Sequence, residues 1–209
     1  MPEAQPVRHR GEDGSALGLT GTNLDDVTPR RQQILDIAAE LFAERGFHGV
    51  SVAELGSACG ISGPALYKHF DSKDAMLAEM LVSISETLLA EGRGRVVSAE
   101  APREALEALV EWHIEFAIDH RALIVVQDRD WSSLPDAARE RVRALQRAYV
   151  DVWATQIRRV DSTSTVEASR TRAHVLFGLL NSTPHSGRLP DPQMRDVLRD
   201  MAYGALGLA

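Results

Sequence analysis

The sequence predicts an all-α protein of about nine helices: a small three-helix N-terminal bundle, one long linking helix and a larger helical C-terminal domain. Three observations predict it. Apolar residues recur three and four apart along nearly all of the chain beyond its first residues. Helix starts are marked by a serine or threonine ahead of a first-turn proline or of a glutamate three residues on, and helix ends by single glycines. At 209 residues, 44% of them apolar, the chain has enough material to bury a substantial core.

Residues 1–27 are rich in glycine, proline and charge without a sustained period, which predicts a mobile tail. Arg8, His9 and Arg10 form a basic cluster of the kind that reaches into a minor groove, but Glu3, Glu12, Asp13, Asp25 and Asp26 make the tail acidic, so a solvated leader is expected. Thr28 and Pro29 then open a first helix with Ile34, Leu35, Ala38, Leu41 and Phe42 on one face. Gly46 closes it, and Phe47 and Val50 are placed to pack back on Phe42. Ser51 and Glu54 have capping-box spacing, so a second helix starts there, with Val52, Leu55 and Ala58 as its apolar stripe and Gly60 as its end. Ile61 anchors the turn, Gly63 is the expected cap and Pro64 the first residue of a third helix. Ala65, Leu66 and Phe70 then face inward, while Tyr67, Lys68 and His69 put a phenol, an ammonium and an imidazole on one exposed surface. Such groups reach phosphates and base edges.

Asp71 or Ser72 caps the linking helix, whose Met76, Leu77, Met80, Leu81, Ile84 and Leu88 recur as far as an expected break around Gly92 and Gly94. Pro102 opens a helix carrying Leu106, Leu109, Val110, His113, Ile114 and Ala117, with Trp112 and Phe116 alongside. The stretch ALIVVQDRDWSSLP is too apolar for a surface loop and reads as a buried helix ended by residues 132–135. From Asp136 a long helix runs to about Val160 with Val142, Leu145, Tyr149, Val152, Trp153 and Ile157 inward. After the linker DSTST, a helix with Val175, Leu176, Leu179 and Leu180 breaks at Pro184. The last carries Met194, Val197, Leu198, Met201, Ala205 and Leu208, and both are apolar over a broad face that calls for a partner.

A net charge of −7 and a pI near 5.5 exclude a nonspecific nucleic-acid coat, which relies on excess Lys and Arg. Any DNA contact is local. Even there, Arg30, Arg31, Lys68 and Lys73 are offset by Asp36, Asp71 and Asp74. Cys59 is the single cysteine, so an intramolecular disulfide is excluded and a reducing compartment is the natural reading. No apolar run approaches the roughly 20 residues of a membrane span, and a signal segment is missing, so a cytoplasmic protein is expected. No catalytic triad order, nucleophile elbow, Walker loop or GxGxxG fingerprint occurs, so neither an enzyme nor a cofactor is expected.

Two short helices joined at a glycine also occur in proteins that never touch nucleic acid, so context decides. The pieces ILDIAAELFAERGF, SVAELGSACGIS, ALYKHF and SKDAML, in that order and spacing between residues 28 and 89, resemble the N-terminal domain of the TetR/AcrR family of transcriptional regulators. The resemblance implies a helix-turn-helix DNA-binding domain over 28–72, a linking helix over 73–95 and a ligand-binding and dimerisation domain over 96–209. Ser51, Val52, Ser62, Gly63, Pro64, Ala65, Tyr67, Lys68, His69 and Lys73 are the candidate DNA contacts, with Lys73 holding a phosphate near a helix N-terminus. The resemblance also implies that the last two helices form the interface of a homodimer, through Val175, Leu176, Leu179, Leu180, Val197, Leu198, Met201 and Ala205. At Gly63 and Pro64 the chain departs from the commoner family pattern, in which a Lys-Gly or similar pair begins the recognition helix. Operator preference therefore does not carry over.

Such a regulator answers to a small molecule inside its C-terminal domain. The candidate lining is Trp112, His113, Phe116, His120, Gln127, Trp131, Tyr149, Trp153, His174, Phe177 and Asn181, large aromatics mixed with polar tips. Taken singly, aromatics at helical spacing are more often plain core. His113 and His120 share a helix face seven residues apart, but no third ligand has metal-like spacing, and no metal is expected. The wording AERGFHGVS, WHIEFA and LLNSTPHS resembles regulators beside acyl-CoA and branched-chain amino-acid breakdown genes, which implies an acyl-CoA or related acid as effector. Arg121, Arg129 or Arg147 would meet its anionic group. The expected function is a homodimeric repressor released from a palindromic operator by that ligand. The competing class is a helical ligand carrier or interaction protein that keeps the fold without binding DNA.

Overall fold

Among the described residues, 29–187 and 189–208 in this computed structural model, the chain forms nine α-helices and no strand. The tail 1–27, its basic arm and the Thr28 cap lie outside them. The helices are α1 (Pro29–Arg45), α2 (Val52–Ala58), α3 (Gly63–Leu66), α4 (Lys73–Ser98), α5 (Pro102–Asp119), α6 (Arg121–Asp130), α7 (Asp136–Val160), α8 (Val166–Leu180) and α9 (Asp191–Leu206). A 3₁₀ turn, Trp131–Ser133, follows α6.

The local signals act as read at both ends of α2. The Ser51 hydroxyl accepts from the Glu54 N–H at 3.2 Å while the Glu54 carboxylate accepts from the Ser51 N–H at 2.8 Å. Gly46 and Gly60 close α1 and α2 with φ of 81° and 67°, left-handed values that other residues rarely adopt. The α2 stripe ends on buried Cys59, four residues after Leu55 and on its face, whereas Ala58 is exposed. Ser62, not Gly63, caps α3, accepting from the Ala65 N–H at 3.2 Å. A hydroxyl satisfies a free donor that a glycine leaves to water.

α4 does not break at its glycines; it runs unbroken through Gly92 and Gly94 to Ser98. Gly92 is buried, and a Cβ there would lie 2.6 Å from the Tyr149 ring and 3.3 Å from Leu109. The residue that reads as a helix breaker is instead where side chains of α5 and α7 press against the α4 backbone.

Two cores result. The first packs Ile34, Phe42, Phe47, Leu55, Leu66, Met76 and Leu77 with Ala122, Val126, Leu134 and Val142, so it runs from the three-helix bundle into α6 and α7 without a seam at residue 72. The second joins α4 through Leu89 to α5, α7, α8 and α9 around the fully buried Trp153. Each fully buried Leu, Ile or Phe contributes about 1.5–3 kcal/mol relative to exposure. A bidentate pair of Arg199 with Glu111, at 2.5 and 2.8 Å, ties α9 to α5.

Polar clasps fix the three-helix bundle on the rest. Lys73, in the first turn of α4, donates to the carbonyls of Phe47 at 2.7 Å and Val50 at 2.9 Å and sits 4.3 Å from the Phe47 ring centre. Arg129 of α6 donates to the carbonyls of Ala43 and of Phe42, the latter also accepting from the Gly46 N–H at 2.8 Å, and Asp130 accepts from the Phe47 N–H at 3.2 Å.

Candidate functional site

The pairing of α2 and α3 is rigid because their backbones touch. A Cβ on Gly56 would meet Gly63 N at 2.7 Å, Ile61 O at 2.9 Å and Ser62 C at 2.9 Å. Leu66 and Phe70 are buried beneath α3, and the turns after it are closed by Lys68 N–H to Ala65 O at 3.1 Å and His69 N–H to Leu66 O at 2.9 Å. Tyr67 is therefore held outward, 53% exposed, with Lys68 exposed beside it and His69 half-buried. Ser51, Ser62 and Pro64 are exposed on the same pair, and Val52, Gly63 and Ala65 are half-buried.

The neighbouring cations have other work. Arg30 donates to the Cys59 carbonyl, Arg31 pairs with Glu79 and lies 4.1 Å from the Phe70 ring centre, and Arg45 pairs with Glu54 at 3.2 Å. Hydrogen bonds from Ser51 hold the Glu54 carboxyl below its ordinary range, so it stays charged. Lys73, expected to hold a phosphate, gives two of its three N–H donors to carbonyls of the α1–α2 connection. Lys68 with Tyr67 is what this surface presents.

A cavity of about 240 Å³ lies among α4, α5, α6, α7 and α8. His113, Tyr149 and Phe177 form a wall of nearly parallel rings, with centroids 4.9 Å apart for His113 and Phe177 and 5.4 Å for Tyr149 and Phe177. The His113 Nε2–H donates to Asn181 Oδ1 at 3.0 Å, which leaves Nδ1 to accept from the Tyr149 hydroxyl at 3.3 Å. Burial pushes the His113 pKa down to about 4, against the smaller opposing effect of Asn181, so the ring is neutral at pH 7. Burial likewise raises Tyr149, keeping its proton on.

A family model described as bacterial regulatory proteins of the tetR family matches residues 34–80, the α1–α4 segment that carries the exposed Tyr67 and Lys68. A second, described as the tetracyclin repressor-like C-terminal domain, matches residues 99–206, more than half of the chain. The chain belongs to the TetR family. The repressor KstR2 of Rhodococcus jostii is 45% identical over 101 residues, 47% of this chain and 49% of that one, so the chain spans about half the length of that relative. The activator FasR of Mycolicibacterium smegmatis is 29% identical over 201 residues, covering 95% of this chain and 89% of FasR. The crystal structure of AibR in complex with isovaleryl coenzyme A and operator DNA superposes with a TM-score of 0.69 at 22% identity, covering 82% of this chain and 97% of that one, a likeness of fold.

In this TetR-family chain the structure brings His113, Phe116, Gln127, Tyr149, His174, Phe177 and Asn181 together on the cavity wall. It places the other expected lining residues elsewhere. Trp112 is half-buried away from the cavity with Arg95 4.6 Å over its ring; His120 lies at a cleft with Gln32 and Asp36; Trp131 packs on the N-terminal core beside Arg143. Trp153 is core, its edge against His113 and Phe177. Sequence reading missed Ile84, Ser85 and Leu88 of α4, Leu123 and Ile124 of α6, and Leu145, Gln146 and Val150 of α7. Ile84, Leu88 and Leu145 were visible as apolar stripe residues, but a stripe does not tell core from cavity wall.

The expected dimer face divides. Leu176, Leu180 and Leu198 are buried within the chain because α8 and α9 pack on α5 and α7, whereas Val175, Val197, Met201 and Ala205 are exposed and Leu179 is half-buried. No group of three His, Cys, Asp or Glu is placed to hold a metal among the described residues, and His113 and His120 line different spaces. No described helix is long and apolar enough to cross a membrane.

Proposed function

We propose that the chain is a homodimeric transcriptional repressor, cytoplasmic, that reads a near-palindromic operator through α3 and is released by a small molecule in the cavity. The observation that carries this is the braced α2–α3 pair with Tyr67 and Lys68 facing solvent. Two copies joined through Val175, Val197, Met201 and Ala205 would present two such surfaces to successive major grooves. Because the segment is not strongly basic, affinity comes from positioned contacts used twice rather than from charge excess.

α4 and α6 each touch both regions. α4 supplies Lys73 to the α1–α2 connection and, about 17 Å further along its axis, Ile84 and Ser85 to the cavity. α6 supplies Leu123, Ile124 and Gln127 to the cavity and Arg129 and Asp130 to the end of α1. A ligand that fits better when these helices move apart favours the arrangement whose spacing no longer matches DNA. For the effector we adopt an acyl-CoA, in keeping with isovaleryl coenzyme A on the same fold in AibR. Arg121 is paired with Asp191 at 2.7 Å and Arg129 is committed to α1, so exposed Arg147, next to cavity residue Gln146, is the arginine left for an anionic group.

The test is a gel-shift titration on the chain's own upstream region. Tyr67→Ala with Lys68→Ala should abolish specific binding while the melting temperature holds; unchanged operator affinity refutes the reading. A thermal-shift panel of acyl-CoAs should find at least one that stabilises the protein and releases DNA.

A further inference from the structure

We propose that the cavity admits only an uncharged part of its ligand, an apolar body bearing a carbonyl or hydroxyl oxygen, and that the protein, on the effector reading above, therefore distinguishes an ester or thioester from the free acid. Among the described residues no Lys, Arg, Asp or Glu lines the space. His113 has both ring nitrogens engaged, by Asn181 and Tyr149, and offers no cation; His174, at the exposed edge, is the other titratable side chain of the wall besides Tyr149.

The remaining groups suit a neutral acceptor. With its oxygen taken by His113, Asn181 has its amide N–H₂ left to donate to a ligand oxygen. Gln127 and Gln146 add neutral amides, while the Ser85 hydroxyl already donates to the Leu81 carbonyl at 2.7 Å. Leu88, Phe116, Ile124 and Phe177 make the rest of the wall apolar. A carboxylate entering here leaves water for a site with no opposite charge, a costly exchange. Its cheaper route is to enter protonated, and at pH 7.5 a carboxyl with a pKa near 4.3 is protonated in only about one molecule in a thousand. At about 240 Å³ the cavity is also smaller than the roughly 300–1,000 Å³ of a site that swallows a whole drug-sized ligand, so a coenzyme portion stays outside.

The experiment compares octanoate, methyl octanoate and octanoyl-CoA binding to the full chain by calorimetry at pH 7.5, with operator release followed in parallel by fluorescence anisotropy. Methyl octanoate and the thioester should bind, with octanoate at least tenfold weaker. Gln127→Arg, which places a cation on the wall, should recover octanoate at least tenfold, and His174→Gln should leave the discrimination in place. Octanoate binding as tightly as the ester, or no binding of the ester, overturns the proposal. Ester binding that leaves DNA bound overturns the effector reading but not the discrimination; release by octanoate in preference to the ester overturns the discrimination and the acyl-CoA identity but not release by a small molecule.

Discussion

Replacing Lys73 by Met separates a brace from a phosphate contact. Methionine keeps the apolar stem against the Phe47 ring but removes the ammonium that bonds Phe47 O at 2.7 Å and Val50 O at 2.9 Å. A hydrogen bond from a charged donor is worth about 1.5–3 kcal/mol. The half-buried site lets water recover part of that, and the two bonds share one cation, so a loss of about 2–3 kcal/mol is expected rather than the full sum. For a chain of this length about 1 kcal/mol moves the melting temperature by about 2–4 °C, which gives a drop of about 4–12 °C by calorimetry. A residue that only held a DNA phosphate would behave oppositely: an unchanged melting temperature and a salt slope of operator binding reduced by about 1. That second pattern would refute the assignment.

His113 sets a pH dependence. Its folded pKa of about 4 lies below its ordinary 6.5, so below pH 6.5 the unfolded chain takes up a proton that the folded chain refuses. This contribution is complete above pH 6.5 and is lost as pH falls toward 4, by up to about 3 kcal/mol; urea titrations of the wild type and His113→Gln at pH 7 and 4.5 should show a larger fall in the wild type. Gly92→Ala drives a methyl into the Tyr149 ring 2.6 Å away and should cost about 1–3 kcal/mol in urea unfolding while weakening ligand binding. Met201→Glu with Val197→Glu, at positions 54% and 43% exposed, should give a folded monomer by analytical ultracentrifugation that no longer holds the operator. Arg129→Met, which removes one of the two polar clasps between α6 and the end of α1, should lower the melting temperature by a few degrees and reduce the anisotropy change that ligand produces on bound DNA.

The N-terminal half was legible in the sequence because its signals are local. Ser51 and Glu54 specify their own hydrogen bonds, and Gly60 takes the left-handed turn that its missing side chain allows. The cavity was half legible, since His113, Tyr149, Phe177 and Asn181 stand out as polar or aromatic groups on apolar faces. Trp131 and Trp153 share that appearance, and only the rotation of each helix within the bundle separates wall from core. Gly92 misled for the same reason: its purpose lies on α7, a partner 57 residues away that no local window contains. The two carbonyls that Lys73 bonds belong to an earlier loop, so its place at a helix start could not announce them.

The contact at Gly56 divides the reading head into a fixed socket and an exchangeable insert. Backbone atoms of residues 61–63 fill the space where any larger residue would place its first carbon, so α2 and the turn cannot slide relative to each other. The outward side chains at 64, 67 and 68 bear on nothing in that joint. If α3 reads the operator as proposed, retargeting the protein is a matter of swapping those few groups in place, and a library that spares Gly56 and buried Leu66 would keep its members folded while their DNA preferences drift.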